Sequence, residues 1–383
     1  MGTQKKHLII IAGEASGDMR AAGLVEAIKA LSANVEFSGV GGDGMKECGV
    51  KLFDHITSLA VIGIAEVIKN LRRIRKVFQR ILKEVERQKP DAVILVDYPG
   101  FNLRLADKLK ERCVKTIYYV SPQVWAWQEK RIEKIKKVVD RMIVLFAFEK
   151  ELYERHGMQV DYVGHPLMDE ITLCRSPNDV LESLGLQTQG SQTIGLMPGS
   201  RQKEIERHLP VMIEAARKLY SHDNRRQFLL LKAQTIQKES LQRYIPHGLP
   251  IKIYERNPYD AINAMNAAMV ASGTATLETA LLNKPMVIIY KTSWLTYFIA
   301  KAVIKIPYIG LVNVVAGRKI VPELIQNDCT PKNIASAIES VLKDQNIVEE
   351  LKKVKTSLGE PGASHRAAQV ILEEIDAENN IAN

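Results

Sequence analysis

The sequence predicts an α/β protein with two doubly wound, Rossmann-like domains facing a cleft. The chain has 383 residues, which is too long for one ordinary hydrophobic core. Short apolar runs alternate with helical patterns along it, as in sheets whose parallel strands are buried on both faces. Turn-forming residues interrupt this alternation near the middle of the chain. Together these features indicate two α/β units in succession.

The first series begins with a strand that runs into a glycine-rich turn. The apolar run Leu8–Ile11 precedes AGEASGD, and apolar residues then recur at helical spacing in MRAAGLVEAIKAL. The acidic Glu14 and Asp18 interrupt the run too early for a signal peptide. Further strand patterns lie at 92–100, 116–120 and 141–146. We expect an N-terminal domain over residues 1–170.

The second series follows a segment that loses periodicity. Residues 164–192 contain GHPLMDE, SPND and QTQGSQ, and we predict the interdomain linker there. Strand and helix patterns resume in TIGLMPGS, a helix from about Glu204 to Tyr220, FLLLKA, IKIYE, AMVASGTATLETALL and KPMVIIY. We therefore expect a second domain over 190–350, with a C-terminal helical segment, 351–383, packing back on the first domain.

The composition of the chain indicates which kinds of ligand or partner it can bind. The formal net charge of +9 favours an anionic partner: nucleic acid, a phosphorylated ligand or acidic lipid headgroups. Aromatic residues make up 6% of the chain, which is low for a protein that stacks on bases. No run of about 18 uncharged apolar residues is present to span a bilayer. The cysteines, which have no C-x-x-C spacing, are predicted to be thiols in a reducing compartment: Cys48, Cys113, Cys174 and Cys329.

Two loops in the second series have the composition of anion-binding sites. In MPGSRQKEI, Gly199, Ser200 and Arg201 stand between a strand and a helix, where backbone N–H groups and an arginine fork suit a phosphate. The alternative is a simple serine cap with a solvated arginine. In ASGTATLETALL, small and hydroxylated residues open the helix and a carboxylate follows within it: Ser272, Gly273, Thr274, Thr276 and Glu278. This pattern predicts phosphate contacts and a carboxylate holding ribose hydroxyls, with a capped helix as the alternative.

The first series places acidic and hydroxyl groups at predicted strand ends. Asp97 follows the buried run AVILV, where it can serve as a general base or as a turn residue. Glu14 and Ser16 lie in GEASGD, which can meet a polar ligand or be an ordinary turn capped by Ser16 or Asp18. His165 in GHP can contact a ligand, although a hydrogen-bonded turn histidine is the commoner case.

Two segments carry features of membrane surfaces. Residues 59–88 combine an apolar helical face with the cations Arg72, Arg73, Arg75, Lys76 and Arg80. Such a helix can lie among anionic headgroups, line an acyl-chain groove, or pack on the core with a solvated basic face. Residues 293–311 join Trp294, Tyr297 and Phe298 to Lys301 and Lys305, as an interfacial element does.

Several of these motifs together resemble the lipid-A-disaccharide synthases, bacterial glycosyltransferases of family 19 with the GT-B architecture. The segments that carry the resemblance occur in family order from residue 8 to about 370: AGEASGD, FSGVGGDGM, VDYPGFN, YYVSPQVWAW, VGHP, MPGSRQKEI, ASGTATLE and NVVAGRKIVPELIQ. Where the family commonly has a second Asp after the proline, this chain has Gly100. No role of that carboxylate can be transferred.

The resemblance implies an inverting transfer of 2,3-diacylglucosamine from UDP to 2,3-diacylglucosamine 1-phosphate (lipid X), forming a β-1,6 lipid A disaccharide. It implies Asp97 as the base or an orienting group, with Glu14 and Ser16 on the acceptor side. Glu278 would bind the ribose, and Asn313 and Arg318 would complete the donor side near Arg201. Neither metal nor cofactor is expected, because backbone donors, a helix dipole and arginine can neutralise the diphosphate.

The implied location is cytoplasmic, on the anionic surface of the inner membrane, with a homodimer as a further expected association. A rival with the same fold is a UDP-N-acetylglucosamine 2-epimerase or another UDP-sugar transferase, which the basic amphipathic segments disfavour. A nucleic-acid-binding protein is a rival of another class, supported by the +9 charge alone. We expect no nucleic-acid partner.

Overall fold

The structure is a computed structural model that describes residues 5–58, 64–294, 297, 298, 301 and 306–377. The chain divides into two compact units. Unit 1 contains the residues up to Met168 and those from Leu358 onward, and unit 2 contains Asp169–Ser357.

Unit 1 is built on a parallel sheet. Its described strands are β1 (Lys6–Ala12), β2 (Val35–Gly41), β3 (Lys51–His55), β4 (Ala92–Val96), β5 (Thr116–Tyr119), β6 (Arg141–Val144) and β7 (Asp161–Tyr162). Their order is β3-β2-β1-β4-β5-β6-β7, and adjacent strands are parallel. The strand order reverses between β1 and β4, so the loops after these two strands emerge side by side at the switch point where such sheets bind ligands.

Helices cover this sheet. They are α1 (Ala15–Leu31), α2 (Asp43–Glu47), α3 (Ile64–Gln88), α4 (Pro99–Lys110), α5 (Val124–Trp127), α6 (Ile132–Val138), α7 (Ala147–Arg155) and the short α8 (Leu167–Glu170). Every residue of β4 is buried, as expected for a strand covered on both faces. The core beside it includes Val77, Ile81 and Val85 of α3.

Unit 2 repeats the plan. Its described strands are β8 (Gln192–Met197), β9 (Arg226–Leu231), β10 (Ile251–Tyr254), β11 (Ala267–Ala271), β12 (Met286–Tyr290) and β13 (Glu323–Ile325). They are parallel, in the order β10-β9-β8-β11-β12-β13. Its helices are α9 (Pro177–Ser183), α10 (Gln202–His222), α11 (Lys238–Gln242), α12 (Pro258–Asn263), α13 (Ala275–Leu281), α14 (Leu311–Ala316), α15 (Pro331–Lys343) and α16 (Asn346–Ser357). The prediction of two doubly wound α/β domains is confirmed.

The chain ends in unit 1 with helix α17 (Ala363–Asp376), which packs against α1. Lys115 Nζ lies 3.3 Å from Glu374 Oε1, and Lys6 Nζ donates to the Ile375 carbonyl at 2.7 Å. The chain passes from unit 2 back to unit 1 after Ser357, where our predicted boundary was residue 350.

The predicted linker contains regular structure. Unit 2 begins at Asp169, and SPND starts α9 instead of forming a loop. Ser176 accepts the Asp179 N–H and Asp179 accepts the Ser176 N–H, each at 3.2 Å. These reciprocal bonds form a capping box, so the turn-forming residues mark a helix N-terminus.

The basic amphipathic segment is partly a core helix. Ile74 and Phe78 of α3 pack against the unit 1 core, and Leu71 is 55% exposed. The cations at 72, 73, 75 and 76 are exposed. Residues 59–63 and the side chains of 64–70, which include part of the apolar face predicted within 59–88, lie outside the described part, as does Lys305. Among described residues, no helix is long and apolar enough to cross a bilayer.

Candidate active site

Asp97 lies at the carboxyl end of β4 in a left-handed backbone conformation. Asp97 and Tyr98 have φ values of 49° and 47°, a region that costs L-residues about 1–3 kcal/mol each. Two buried side chains hold this turn: Asn102 Nδ2 and the Tyr118 hydroxyl donate to the Asp97 carbonyl at 2.8 and 2.6 Å. The Asp97 N–H also donates to the Tyr119 carbonyl at 3.0 Å. The sheet therefore fixes the backbone from which the carboxylate projects.

The Asp97 carboxylate makes an ion pair with α1. Arg20 Nη1 lies 3.6 Å from Asp97 Oδ2, and the two side chains are 13% and 35% exposed. Burial raises the pKa of Asp97 above its ordinary value, while the Arg20 cation and the Tyr98 backbone N–H oppose that rise. Asp97 does not cap α4, since the N-cap is Tyr98 and carries no side-chain cap bond. The carboxylate is thus available for chemistry.

The glycine-rich loop after β1 lies against the Asp97 turn. Ala12 pairs with Val96 in the parallel sheet. A β-carbon at Gly13 would lie 2.3 Å from Tyr98 Cδ1, so this close approach requires glycine. Glu14 is exposed, and its charge contributes after burial to the raised pKa of Tyr98. The structure therefore brings the two predicted acidic loops together.

Two further residues of the GEASGD motif, Ser16 and Asp18, differ in their surroundings. Ser16 is half-buried within α1, and its hydroxyl does not cap the helix, whose N-cap is Glu14. Asp18 is buried and accepts the N–H groups of Gly42 and Gly44 at 2.5 and 3.0 Å. Asp18 thus joins the GEASGD and GVGGDGM motifs, and its role is to fix their backbones.

A second carboxyl group, missed by our sequence analysis, lies inside unit 1. Glu149 is 3% exposed and accepts the Trp125 Nε1–H at 3.2 Å and the N–H groups of Leu145 and Phe146 at 3.3 Å. Burial raises its pKa to about 8 despite these donors, and the Asp97 charge adds to the rise. Glu149 is thus mostly protonated at neutral pH, and it ties the loops after β5 and β6 together.

His165 follows β7 and is 2% exposed. Its Nδ1 accepts the Leu167 N–H at 3.2 Å, which assigns the ring proton to Nε2. Burial, and then the Arg20 cation, lower the pKa of His165 to about 3. The histidine is therefore neutral and fixed by its own turn, as in the commoner of the two alternatives.

In unit 2, the loop after β8 holds the predicted phosphate-binding residues. Gly199 has a φ of 117°, and a β-carbon there would lie 2.3 Å from Glu204 Oε2. That oxygen accepts the N–H groups of Ser200 and Arg201 at 3.0 and 3.3 Å. A carboxylate of the chain therefore occupies the N-terminus of α10, where we expected an anion from a ligand. Arg201 is 52% exposed and lies 3.3 Å from Glu204 Oε1.

The loop after β11 adjoins this one, because β11 pairs with β8 and Val270 lies opposite Met197. Gly273 is exposed, while Thr274 and Glu278 are half-buried. These residues line the same sheet edge as Arg201, as the sequence analysis expected.

Two hydroxyls of that loop are engaged within the protein. Ser272 is half-buried and its hydroxyl donates to the Ile309 carbonyl at 3.1 Å. Thr276 is fully buried, and its hydroxyl donates to the Gly273 carbonyl at 2.8 Å. Thr276 therefore stabilises the first turn of α13, and a phosphate contact from its hydroxyl would require that bond to break.

Asn313 and Arg318 also have partners within unit 2. Asn313 is fully buried: its Nδ2 donates to the Val321 carbonyl and to Glu323 Oε1 at 3.0 and 2.8 Å, and its Oδ1 accepts the Ile320 N–H at 2.8 Å. Arg318 is exposed and pairs with Glu350. In this structure Asn313 shapes the loop instead of presenting its amide to a ligand.

His208, on α10, fixes the loop after β8. Its Nδ1 lies 2.9 Å from the Pro198 carbonyl and its Nε2 lies 3.0 Å from the Lys291 nitrogen, an arrangement that requires Nδ1–H to donate and Nε2 to accept. The imidazole is thus neutral, and burial lowers its pKa. Sequence analysis missed His208, Glu149 and Arg20 because each acts through a contact with a distant residue.

Sequence comparison with known proteins identifies a family. The family described as Lipid-A-disaccharide synthetase matches residues 8–374. A relative named lipid-A-disaccharide synthase, from Syntrophus aciditrophicus, is 43% identical over 373 residues, covering 96% of this chain and 97% of the relative.

Solved structures support the fold. A glycosyltransferase of kitacinnamycin matches with a TM-score of 0.67 at 12% identity, covering 97% of this chain and all of that one. UDP-GlcNAc 2-epimerase from Neisseria meningitidis, solved with UDP-GlcNAc, matches with a TM-score of 0.66 at 10% identity, covering 96% and 100%. At these identities the likeness concerns the fold alone. The family match over nearly the whole chain is decisive: this chain belongs to the lipid-A-disaccharide synthetase family.

Proposed function

We propose that this protein transfers 2,3-diacylglucosamine from UDP to the 6-hydroxyl of 2,3-diacylglucosamine 1-phosphate, releasing UDP and forming the β-1,6 disaccharide. The observation that carries the proposal is the Asp97 carboxylate, held at the switch point of a doubly wound sheet in a chain of this family. An inverting transfer needs one displacement and one general base.

Asp97 is the proposed base. It takes the proton of the acceptor hydroxyl while the hydroxyl oxygen bonds to the anomeric carbon and the bond from that carbon to the UDP oxygen breaks. The UDP leaves with the bonding electrons. Burial raises the pKa of Asp97, which makes the carboxylate a better proton acceptor than an exposed aspartate.

The donor-binding groups of the proposal lie in unit 2. The exposed guanidinium of Arg201 and the backbone around Gly273 suit the diphosphate, and Glu278 suits the ribose hydroxyls. As the sugar departs, negative charge grows on the UDP oxygen, so fixed donors stabilise the transition state more than the ground state.

The testing experiment measures UDP release from UDP-2,3-diacylglucosamine with and without the acceptor, in the native protein and in Asp97→Asn. We expect acceptor-dependent release in the native protein and a loss of about 10²–10⁴-fold in kcat for the variant, the usual contribution of a general base. UDP affinity, measured by calorimetry, is the control and stays unchanged. Release that is independent of acceptor, or full activity in Asp97→Asn, contradicts the proposal.

We further propose that the enzyme acts at an anionic membrane surface. Support comes from the exposed cations of α3 and from three aromatic rings in unit 2. Trp294 and Phe298 are 52% and 60% exposed with ring centroids 5.8 Å apart, and Lys301 Nζ lies 6.0 Å from the Tyr297 ring. Exposed aromatic rings beside cations are typical of membrane-interface elements.

A vesicle-binding assay tests this proposal. Neutralising Arg72, Arg73, Arg75 and Lys76 together is expected to weaken binding to anionic vesicles, since each cation near such a surface contributes about 1 kcal/mol. The matched control removes the same charge from exposed positions in unit 2: Lys343, Lys352, Lys353 and Lys355. Equal losses in both variants would mean that net charge alone attracts the protein.

A further inference from the structure

Arg20 is a largely shielded cation that none of the predicted roles includes. It lies on α1, and its Nη1 is 3.6 Å from Asp97 Oδ2. The pairing of β1 with β4 brings α1 and the Asp97 turn to the same edge of the sheet, although the two residues are far apart in sequence. At 13% exposure the guanidinium is shielded from water, so its interaction with the carboxylate is screened less than a surface ion pair.

We propose that Arg20 is a positioning residue for the transfer reaction, which orients the Asp97 carboxylate and keeps it ionised until the acceptor hydroxyl arrives. This inference rests on the proposed function, in which Asp97 is the base.

The groups that face Asp97 give Arg20 this role. From α7, Glu149 is a buried carboxyl whose pKa is raised to about 8, so the acid form predominates at neutral pH. From β5, Tyr118 is fully buried, and burial holds its pKa well above the ordinary value. Tyr98, the next residue, also has a raised pKa because of burial. Among the described groups around Asp97, Arg20 is therefore the cation that opposes protonation of the carboxylate.

The geometry leaves the carboxylate able to react. A separation of 3.6 Å is an ion pair and not a hydrogen bond, so Arg20 attracts Asp97 without using an oxygen lone pair. The backbone of Asp97 is fixed by Asn102 and Tyr118, whereas Arg20 acts on its side chain. Among the described residues, a β-carbon placed at Gly100, three residues further on, would have no neighbour within 4 Å beyond its own stretch of helix. Arg20 thus aims the carboxylate while the acceptor hydroxyl can still donate to it.

The first test compares the pH dependence of kcat/KM in the native protein, Arg20→Met, Arg20→Gln and Arg20→Lys. Both neutral variants should lose more activity at acid pH than at about pH 8, by up to roughly tenfold at pH values below the native pKa of Asp97, because an ion pair typically moves a carboxyl pKa by at least one unit. Arg20→Lys should keep most of the native pH profile, since lysine retains the positive charge but lacks the planar guanidinium group. A uniform loss at all pH values would overturn the proposal, because a purely structural role lowers activity without moving the acidic limb.

The second test does not depend on activity. In the full chain labelled with carboxyl-¹³C aspartate, the Asp97 signal is assigned by its loss in Asp97→Asn and followed through a pH titration. The Asp97 midpoint should move to higher pH in Arg20→Met, and an unchanged midpoint overturns the proposal. Arg80→Met, which removes an exposed arginine 3.5 Å from Asp54, should leave the Asp97 signal unmoved. If the native protein released no UDP, the proposed function would fail while this titration still decided the role of Arg20.

Discussion

The carboxyl edges of the two sheets use charge in different ways. In unit 1, desolvation raises the pKa of Asp97 and Glu149 and lowers that of His165. In unit 2 the charged groups of the predicted site are more exposed: Arg201 is 52% exposed and Arg318 55%. The same strand order therefore supports two kinds of site.

This difference fits the tasks that the proposed function gives to the two units. Proton transfer requires a group whose pKa has been moved toward the working pH, and burial supplies that shift. Binding a diphosphate requires permanent charge and hydrogen-bond donors, which we expect from the partly exposed Arg201 and the backbone around Gly273. Under the proposed function, we therefore expect the chemistry in unit 1 and the donor affinity in unit 2.

The largest expected effects come from two variants that distinguish catalysis in unit 1 from donor binding in unit 2. Asp97→Asn should lower kcat by about 10²–10⁴-fold with little change in UDP affinity. Glu278→Gln should instead weaken UDP binding by roughly 10-fold or more, because hydrogen bonds to a charged group are worth about 1.5–3 kcal/mol. Calorimetric titration with UDP and single-turnover kinetics distinguish the two. The comparison fails if both variants lose affinity equally.

Two glycine substitutions, one in the loop after β1 and one in the loop after β8, are expected to have smaller effects. Gly13→Ala would drive a β-carbon to 2.3 Å from the Tyr98 ring, and Gly199→Ala would place one 2.3 Å from Glu204 in a left-handed backbone. Each should cost about 1–3 kcal/mol of unfolding free energy. Gly13→Ala should reduce kcat, and Gly199→Ala should reduce UDP affinity. Gly100→Ala is the control, because a β-carbon there would touch none of the described residues outside its own helix within 4 Å.

The buried histidine of unit 1 predicts acid sensitivity. His165 stays neutral in the folded protein, with a pKa of about 3, whereas the unfolded chain protonates it below about 6.5. Its contribution to the free energy of unfolding is present above pH 6.5 and falls by about 1.4 kcal/mol per pH unit as the pH drops toward 3. Urea unfolding at several pH values gives the free energy of unfolding as a function of pH. Between about pH 6.5 and pH 3 this free energy should fall less steeply in His165→Gln than in the native protein. An identical slope would mean that the histidine is accessible to protons in the folded state.

Glu149 should act with the opposite sign. Its pKa rises from 4.5 to about 8 on folding, so its contribution is present below pH 4.5 and is lost as the pH rises through 8. The variant Glu149→Gln cannot ionise and should lack this loss between about pH 5 and 8, again about 1.4 kcal/mol per unit at most. The free energy of unfolding is measured with urea at about pH 5 and at about pH 8. The control variant is Glu86→Gln, which changes an exposed glutamate.

The two successive α/β units and the loops that carry the motifs were predictable from sequence, whereas β2, β3 and β7 of unit 1 were not predicted. Apolar runs, helical spacing and glycine-rich turns are local signals, and parallel sheets place their loops at one edge by rule. Asp97, Glu14, Arg201 and Gly273 therefore lie at strand ends where the pattern put them. The same local signals misled at SPND, where Ser176 and Asp179 cap a helix that we had assigned to a linker.

Tertiary structure decided which side chains face one another. Arg20 meets Asp97 because β1 pairs with β4, and the pKa of Glu149 is raised because the residue is buried, neither of which is visible in a local pattern. Thr276 and Asn313, expected at the ligand, direct their polar atoms to partners within unit 2 because buried polar groups require partners. The sequence by itself determined where the chemistry-bearing loops lie, and packing determined which of their groups are charged and which are buried.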